Sequence, residues 1–139
     1  MHGVIGGRTQ CVPWGEAEGE QGVDWLCAIV VSLFVWGLCG AVMMVGRRFF
    51  SMRTTIHIHL AAAPVFAFAL SCLHAHVAPA FDPMVRAGLM TGMIVVLDAG
   101  LVAPVFERSF EMFRSILGTW VPFALIFAAS WLAGTLMAI

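Results

Sequence analysis

Four long apolar stretches, separated by short polar connections, constrain this chain more than any other feature. They run from about 25 to 45, 56 to 78, 85 to 106 and 116 to 136. Lipid offers no hydrogen-bond partner to an exposed backbone, and a helix needs about 20 apolar residues to cross it. Each stretch meets that length, and none shows the alternation of a β-barrel strand. We therefore predict an all-α polytopic membrane protein, an antiparallel four-helix transmembrane bundle in which consecutive helices are neighbours.

The composition excludes several classes of protein. Hydrophobic residues make up 61% of the chain and charged residues only 11%, whereas roughly a quarter of a soluble domain is charged. A disordered chain and an ordinary water-soluble enzyme are therefore excluded. The seven basic residues, all arginines, face eight acidic ones, so no basic field exists to bind nucleic acid. We find no phosphate loop, nucleophile elbow or dinucleotide fingerprint, and we expect a non-enzymatic protein.

The positions of the arginines predict the orientation. Arg47, Arg48 and Arg53 lie in the first connection, and Arg108 and Arg114 lie in the third. Only two arginines fall on the other side. Because cytoplasmic loops carry an excess of basic residues, the first and third connections are predicted to be cytoplasmic and both termini extracytoplasmic. The membrane we expect is the bacterial cytoplasmic (inner) membrane.

The first 22 residues differ in kind from the rest. The run from Gly15 to Gly22, GEAEGEQG, is polar, acidic and rich in glycine. Such a segment cannot bury enough apolar surface to offset the entropy of ordering. We therefore predict a flexible acidic N-terminal tail over 1–22 and a four-helix transmembrane domain over 23–139.

Asp98 is the acidic residue inside the third stretch. A carboxylate near the middle of a membrane costs about 3 kcal/mol, so this side chain should face the bundle interior. His59 in the second stretch lies within about one helical turn of the same depth, so a contact between the two is feasible. One interpretation is a proton relay or substrate site in a small transporter. The other is a single hydrogen-bonded pair that fixes the register of the helices.

A second group of polar residues lies toward the predicted outer end. Cys72 and His76 are spaced i and i+4 on one face of a helix, and Cys27 begins the first stretch at a similar depth. Three methionines lie in the outer half of the third stretch, namely Met84, Met90 and Met93. Thiolate, imidazole and thioether together suit a soft metal such as Cu(I). The alternatives are plain packing of cysteine and methionine in an apolar interior, or a Cys27–Cys72 disulfide.

Two His-x-His pairs lie at opposite ends of the second stretch, His57 with His59 and His74 with His76. Residues i and i+2 of a helix point to nearly opposite sides, so neither pair chelates one ion. Haem ligation would need histidines from a second copy of the chain. The ordinary interpretation is that these side chains extend toward lipid headgroups. No cofactor is expected, and copper and haem remain the alternatives.

Small residues suggest where helices approach closely. Gly88 and Gly92 form a GxxxG pair in the third stretch, a spacing that lets two membrane helices pack backbone to backbone. We favour packing within the bundle, which needs such faces in any case. The alternative is a homodimer formed through Gly88 and Gly92.

The stretch ERSFEMFRSILGTWVPFALIF, residues 107–127, resembles the signature of a family of small prokaryotic integral membrane proteins with four predicted helices. The resemblance extends back through Asp98 to the Ile58-His59 and Ala63-Pro64 segment. It implies the four-helix architecture and points to His59, Asp98 and the segment 118–120 that contains Thr119. It implies no activity.

Two functions are therefore open. The first is a non-enzymatic membrane protein, either a small proton-linked carrier or a subunit of a membrane complex, with a polar locus at His59, Asp98 and Thr119. The second is a membrane protein that handles copper or haem through Cys72, His76 and Cys27.

Overall fold

The computed structural model describes residues 14–139, and every regular element within that range is helical. Four α-helices carry the fold, and we number them in chain order: α1 Trp14–Phe49, α2 Met52–Val77, α3 Pro83–Leu97 and α4 Val121–Met137. All four apolar stretches predicted from the sequence are helical. Four helical segments are long and apolar enough to cross a membrane, Gly22–Phe49, Met52–Val77, Pro83–Glu107 and Ile116–Met137.

Helix α1 begins well before its apolar stretch. Residues 14–22, which were predicted to belong to a flexible tail, continue the helix toward the N-terminus. Once the apolar part of a helix exists, each added residue gains a backbone hydrogen bond without a new nucleation cost. Glutamate and alanine favour such an extension. The remainder of the predicted tail, residues 1–13, lies outside the described residues.

The connection between α3 and α4 departs from regular α-helix. The third span continues as a π-helical segment, Asp98–Glu107, and a second π-helical segment, Ile116–Trp120, leads into α4. Pro104 lies inside the first of them, and proline cannot donate the hydrogen bond that an α-helix requires of it. A single 3₁₀ turn, Glu111–Arg114, joins the two segments. π-Helical segments are rare in proteins, and those that occur are often found at functional sites.

The four helices pack in a ring rather than in chain order. Helix α1 packs on α2 and α3, and α4 packs on the same two helices from the other side. Consecutive helices are therefore neighbours at the first and last connections, as predicted. The exception is α2 and α3, which lie across the bundle from each other because α4 packs against both.

The bundle interior is small and its outer surface is strongly apolar. The core combines small side chains with a few larger ones, and its members are Val31, Val35, Cys39, Ala63, Ala67, Met90, Ile94, Phe123 and Ile126. Large apolar side chains point away from it on every helix, as in Phe34 at 62%, Val65 at 63% and Val96 at 65% exposure. A water-soluble monomer rarely exposes apolar surface on this scale. The exposed faces are those that lipid would solvate.

Contacts at the two ends of the bundle define the names used below. The Arg86 end contains Asp24 of α1, His74 of α2, Arg86 of α3 and Gly134 of α4. The Arg53 end contains the last turn of α1, the first turns of α2 and the connection 98–120. There Arg47 pairs with Glu107 at 2.7 Å.

Candidate functional site

Asp98 lies where α3 changes into the first π-helical segment. Its Oδ1 accepts a hydrogen bond of 2.9 Å from the indole Nε1 of Trp36 on α1, and the pair is partly buried. Because α1 and α3 are neighbours in the ring, Trp36 reaches the carboxyl group directly. Asp98 thus has a polar partner on another helix, and that partner is Trp36 rather than the predicted His59.

His59 does not bond to Asp98. Its Nδ1 is buried without a hydrogen-bond partner, and no hydrogen bond joins the two side chains in the part of the chain that the structure describes. Equal depth along two helices does not fix the direction in which the side chains point. The pair inferred from depth alone is therefore not formed.

Thr119, the third residue of the predicted polar locus, holds the connection together. Its Oγ1 donates to the carbonyl oxygen of Met112 at 2.6 Å, and the next residue, Trp120, donates from Nε1 to the carbonyl of Phe113 at 2.8 Å. The Ser115 hydroxyl accepts from the backbone N–H of Gly118. These bonds bind the second π-helical segment to the 3₁₀ turn, so Thr119 has a structural partner of its own.

A buried arginine cluster at the Arg86 end was missed from the sequence. Arg86 is only 2% exposed, and its Nε donates to Nδ1 of the fully buried His74 at 2.8 Å. One of its terminal nitrogens donates to the carbonyl oxygens of Ala78 and Phe81, each at 3.1 Å. Because Nδ1 of His74 accepts, the ring proton lies on Nε2, which faces the carbonyl oxygen of Asp24 at 3.4 Å. The prediction that His74 extends toward lipid headgroups is therefore wrong. Its side chain instead joins α1, α2 and α3.

The glycine at position 134 makes room for this cluster. A Cβ at Gly134 would lie 2.6 Å from Nη1 of Arg86 and 3.1 Å from the Cα of Pro83. Helix α4 therefore approaches the start of α3 more closely than it could with any residue other than glycine at position 134. From the sequence, Arg86 was only one of the two arginines on the predicted outer side, and its burial was not predicted. The short connection 78–82 could have indicated the cluster, because it brings His74 before it and Arg86 after it to the same end of the bundle.

The residues proposed to bind a soft metal do not form a ligand group. Among the side chains that the structure describes, no three of His, Cys, Asp or Glu are arranged to hold a metal ion. Cys27 and Cys72 are free thiols, so they form no disulfide with each other. His76 is exposed, on the same helix as the buried His74. The predicted set of Cys27, Cys72 and His76 is thus not brought together.

Met90, also considered as a soft-metal ligand, has other partners. Its sulfur accepts hydrogen bonds from the hydroxyls of Ser71 on α2 and Ser130 on α4, at 3.3 and 3.2 Å. All three residues are buried. The sulfur thus satisfies two hydroxyls that would otherwise lack acceptors in the apolar interior. These two bonds join α3 to α2 and to α4 through the bundle interior.

Gly88 and Gly92 do not pack against another helix of this chain. Both are exposed, and a Cβ at either position would have nothing within 4 Å. Packing of this pair within the bundle, the interpretation favoured from the sequence, is therefore wrong. A homodimer through the pair stays a prediction.

Comparisons with protein-family models, with curated proteins and with solved structures find no match for this chain. What the fold defines is an all-helical chain with four helical segments of membrane-spanning length. Its function has to be inferred from the chemistry of its own residues.

Proposed function

We propose that the chain is a non-enzymatic integral membrane protein, an antiparallel four-helix bundle that acts as a small proton-linked carrier. Asp98 is its proton-binding group. The proposed membrane is the bacterial inner membrane, with the Arg53 end in the cytoplasm and both termini outside. Five of the seven arginines belong to the two connections at the Arg53 end, and this asymmetry supports the orientation.

Membrane insertion is supported by the distribution of apolar side chains. Alanine is the most frequent of the buried residues in the described range, while many large apolar residues such as Phe34 are exposed. A soluble bundle would do the opposite, because burying large apolar side chains stabilises it most in water. In lipid the small residues allow helices to approach, and the large residues contact the acyl chains.

The hydrogen bond between Asp98 and Trp36 is the observation that carries the proton-binding role. An ionisable residue inside a membrane protein marks a functional site by default. Within the described range, Asp98 forms no ion pair, and its bonded partner is an indole N–H. An indole can only donate, and a carboxyl oxygen accepts in both protonation states. Trp36 can therefore hold Asp98 in place while a proton binds and leaves.

Two further features support a site that binds and releases a proton. Asp98 is the first residue of a π-helical segment, and such segments are frequent at functional sites. His59 has a buried ring nitrogen without a hydrogen-bond partner, and a neutral histidine can accept a proton. Both groups make fewer hydrogen bonds than Arg86, which makes three.

Proton movement in liposomes tests the proposal. The full-length protein is reconstituted with the pH dye pyranine inside, and a potassium gradient with valinomycin sets an inside-negative potential. We expect wild-type protein to acidify the interior faster than empty liposomes, and Asp98→Asn to abolish the difference. Asp82→Asn is the matched control. Asp82 caps α3 by accepting from the N–H groups of Met84 and Val85, and asparagine caps equally well.

Two results would contradict the proposal. Wild-type liposomes that follow the empty-liposome trace would remove the carrier function. Equal traces for wild type and Asp98→Asn would remove Asp98 from it. The amount of protein incorporated and its orientation are measured for each variant, so that a difference in reconstitution is not taken for a difference in transport.

A role as a subunit of a membrane complex is the second candidate. It is favoured by the outward position of Gly88 and Gly92, where a Cβ would meet nothing within 4 Å. A flat, small-residue face lets a second membrane helix approach closely. The mass of the particle released from detergent by native mass spectrometry distinguishes a monomer from a homodimer.

A further inference from the structure

The Arg53 end contains an open groove of about 520 Å³ between α2 and the second π-helical segment. Four residues line it, Arg53, Ile56 and His57 from α2 and Leu117 from the π-helical segment. The two elements are in contact here, since a Cβ at Gly118 would lie 3.9 Å from Cδ1 of Ile56. The groove is therefore a built feature of the fold at this end.

The lining divides into an apolar part and a basic part. Ile56 and Leu117 supply apolar walls, and the neighbouring Ile116 is 72% exposed. Arg53 and His57 supply the polar rim, and both are exposed. Nδ1 of His57 donates to the carbonyl oxygen of Arg53 at 2.7 Å. This bond fixes the imidazole over the turn. With the proton on Nδ1, the neutral ring presents Nε2 as an acceptor, so the donors for an anion come from Arg53.

The charge around the groove favours an anion. The Arg53 end and its connections hold five arginines, Arg47, Arg48, Arg53, Arg108 and Arg114, and two acidic residues, Glu107 and Glu111. Glu107 is paired with Arg47. No hydrogen bond or ion pair to another described residue occupies the guanidinium of Arg53. A phosphate would therefore meet an arginine with its donors available, in a positive local field.

We propose that this groove binds one anionic phospholipid, with its phosphate on Arg53 and an acyl chain along Ile56 and Leu117. The inference rests on the proposed membrane insertion. The apolar walls, Ile56 and Leu117, give a soluble anion nothing to bind, whereas a lipid uses both these walls and Arg53. Basic pockets between helices on the cytoplasmic side are places where anionic headgroups bind.

Lipid binding is measured on the purified full-length protein by native mass spectrometry, with titrated phosphatidylglycerol and, separately, phosphatidylcholine. We expect phosphatidylglycerol to bind more tightly. Arg53→Gln should weaken its binding about fivefold or more, the effect of one arginine at an anionic surface. Arg53→Lys should retain most of the affinity. Arg48→Gln is the matched control, because Arg48 is an exposed arginine at the same end that does not line the groove.

A second variant separates a lipid from a soluble anion. Leu117→Gln removes an apolar wall and leaves the basic rim intact. Weaker phosphatidylglycerol binding in this variant, with no competition from inorganic phosphate, supports the lipid. Full competition by inorganic phosphate, or unchanged lipid binding in Leu117→Gln, overturns it in favour of a soluble-anion site.

Three further outcomes would overturn the inference: equal affinity for the two lipids, equal loss in Arg53→Gln and Arg48→Gln, and no loss in Arg53→Gln. Thermal unfolding of each variant without added lipid shows that a lost affinity does not come from misfolding. Carbonate extraction keeps this result apart from the proposed function. Protein that stays in the membrane pellet but shows no lipid preference contradicts only the lipid site, whereas protein released by carbonate contradicts membrane insertion itself.

Discussion

At the Arg86 end of the bundle the arginine is buried and makes three hydrogen bonds, whereas the arginines at the Arg53 end lie on the surface. Arg86 donates to His74 and to two backbone carbonyl oxygens. The Arg53 end has a single ion pair in the described range, Arg47 with Glu107. The polar groups nearest to it inside the bundle are also sparsely bonded, since Asp98 has one partner and Nδ1 of His59 has none.

This difference separates polar residues that hold the fold from polar residues that remain available. A buried group with all its bonds made is costly to disturb, because a change leaves its partners unsatisfied. A buried group with few bonds can bind a proton, an ion or a ligand without breaking the structure. The Arg86 end is accordingly structural, and the functional proposals lie on the other side of the bundle.

The largest effect is expected from Arg86→Ala. The variant leaves Nδ1 of His74 and two carbonyl oxygens without their donor in a buried site, which should lower the free energy of unfolding by about 3 kcal/mol. Titration with SDS in mixed micelles, followed by circular dichroism, measures the change. Arg48→Ala is the control, as Arg48 is exposed. Equal stability of the two variants would show that the Arg86 end is not the structural one.

A somewhat smaller effect is expected from Gly134→Ala. The new Cβ would lie 2.6 Å from Nη1 of Arg86 and 3.1 Å from the Cα of Pro83, so α4 must move away from α3. Overpacking of this kind costs about 2 kcal/mol. Gly37→Ala is the matched control within a helix, because a Cβ there has nothing within 4 Å. A stable Gly134→Ala protein would contradict the close approach that the cluster requires.

The helices could be predicted from the sequence because lipid imposes a simple requirement on length and apolarity. Their order around the bundle could not, since depth and length say nothing about which faces meet. The placement of α4 between α2 and α3 depends on fine packing, including the space at Gly134. The π-helical segments were missed for a similar reason. Pro104 signals a break in the α-helix, but not which wider turn replaces it.

Asp98 was recognisable as a key residue because an acid within an apolar stretch is costly wherever its side chain points. Its partner was not, although Trp36 lies in the middle of the first stretch, where a buried indole N–H needs an acceptor. The need of the Trp36 indole N–H for an acceptor could therefore have indicated Asp98 as its partner. Arg86 lies near the end of a stretch, a common position for an exposed arginine, so its position in the stretch did not indicate its burial.

The smallest of these effects, expected from Thr119→Val, tests the division at the Arg53 end itself. Valine has nearly the same shape but cannot donate to the carbonyl oxygen of Met112, a bond of 2.6 Å. The loss of one such bond should lower the free energy of unfolding by about 1 kcal/mol. If Thr119 only holds the connection together, proton movement in liposomes should equal that of wild type once the amounts of folded protein are matched. A loss of transport with unchanged stability would assign Thr119 to the proton site together with Asp98. The bond from Thr119 to Met112, which we assign to structure, would then serve transport.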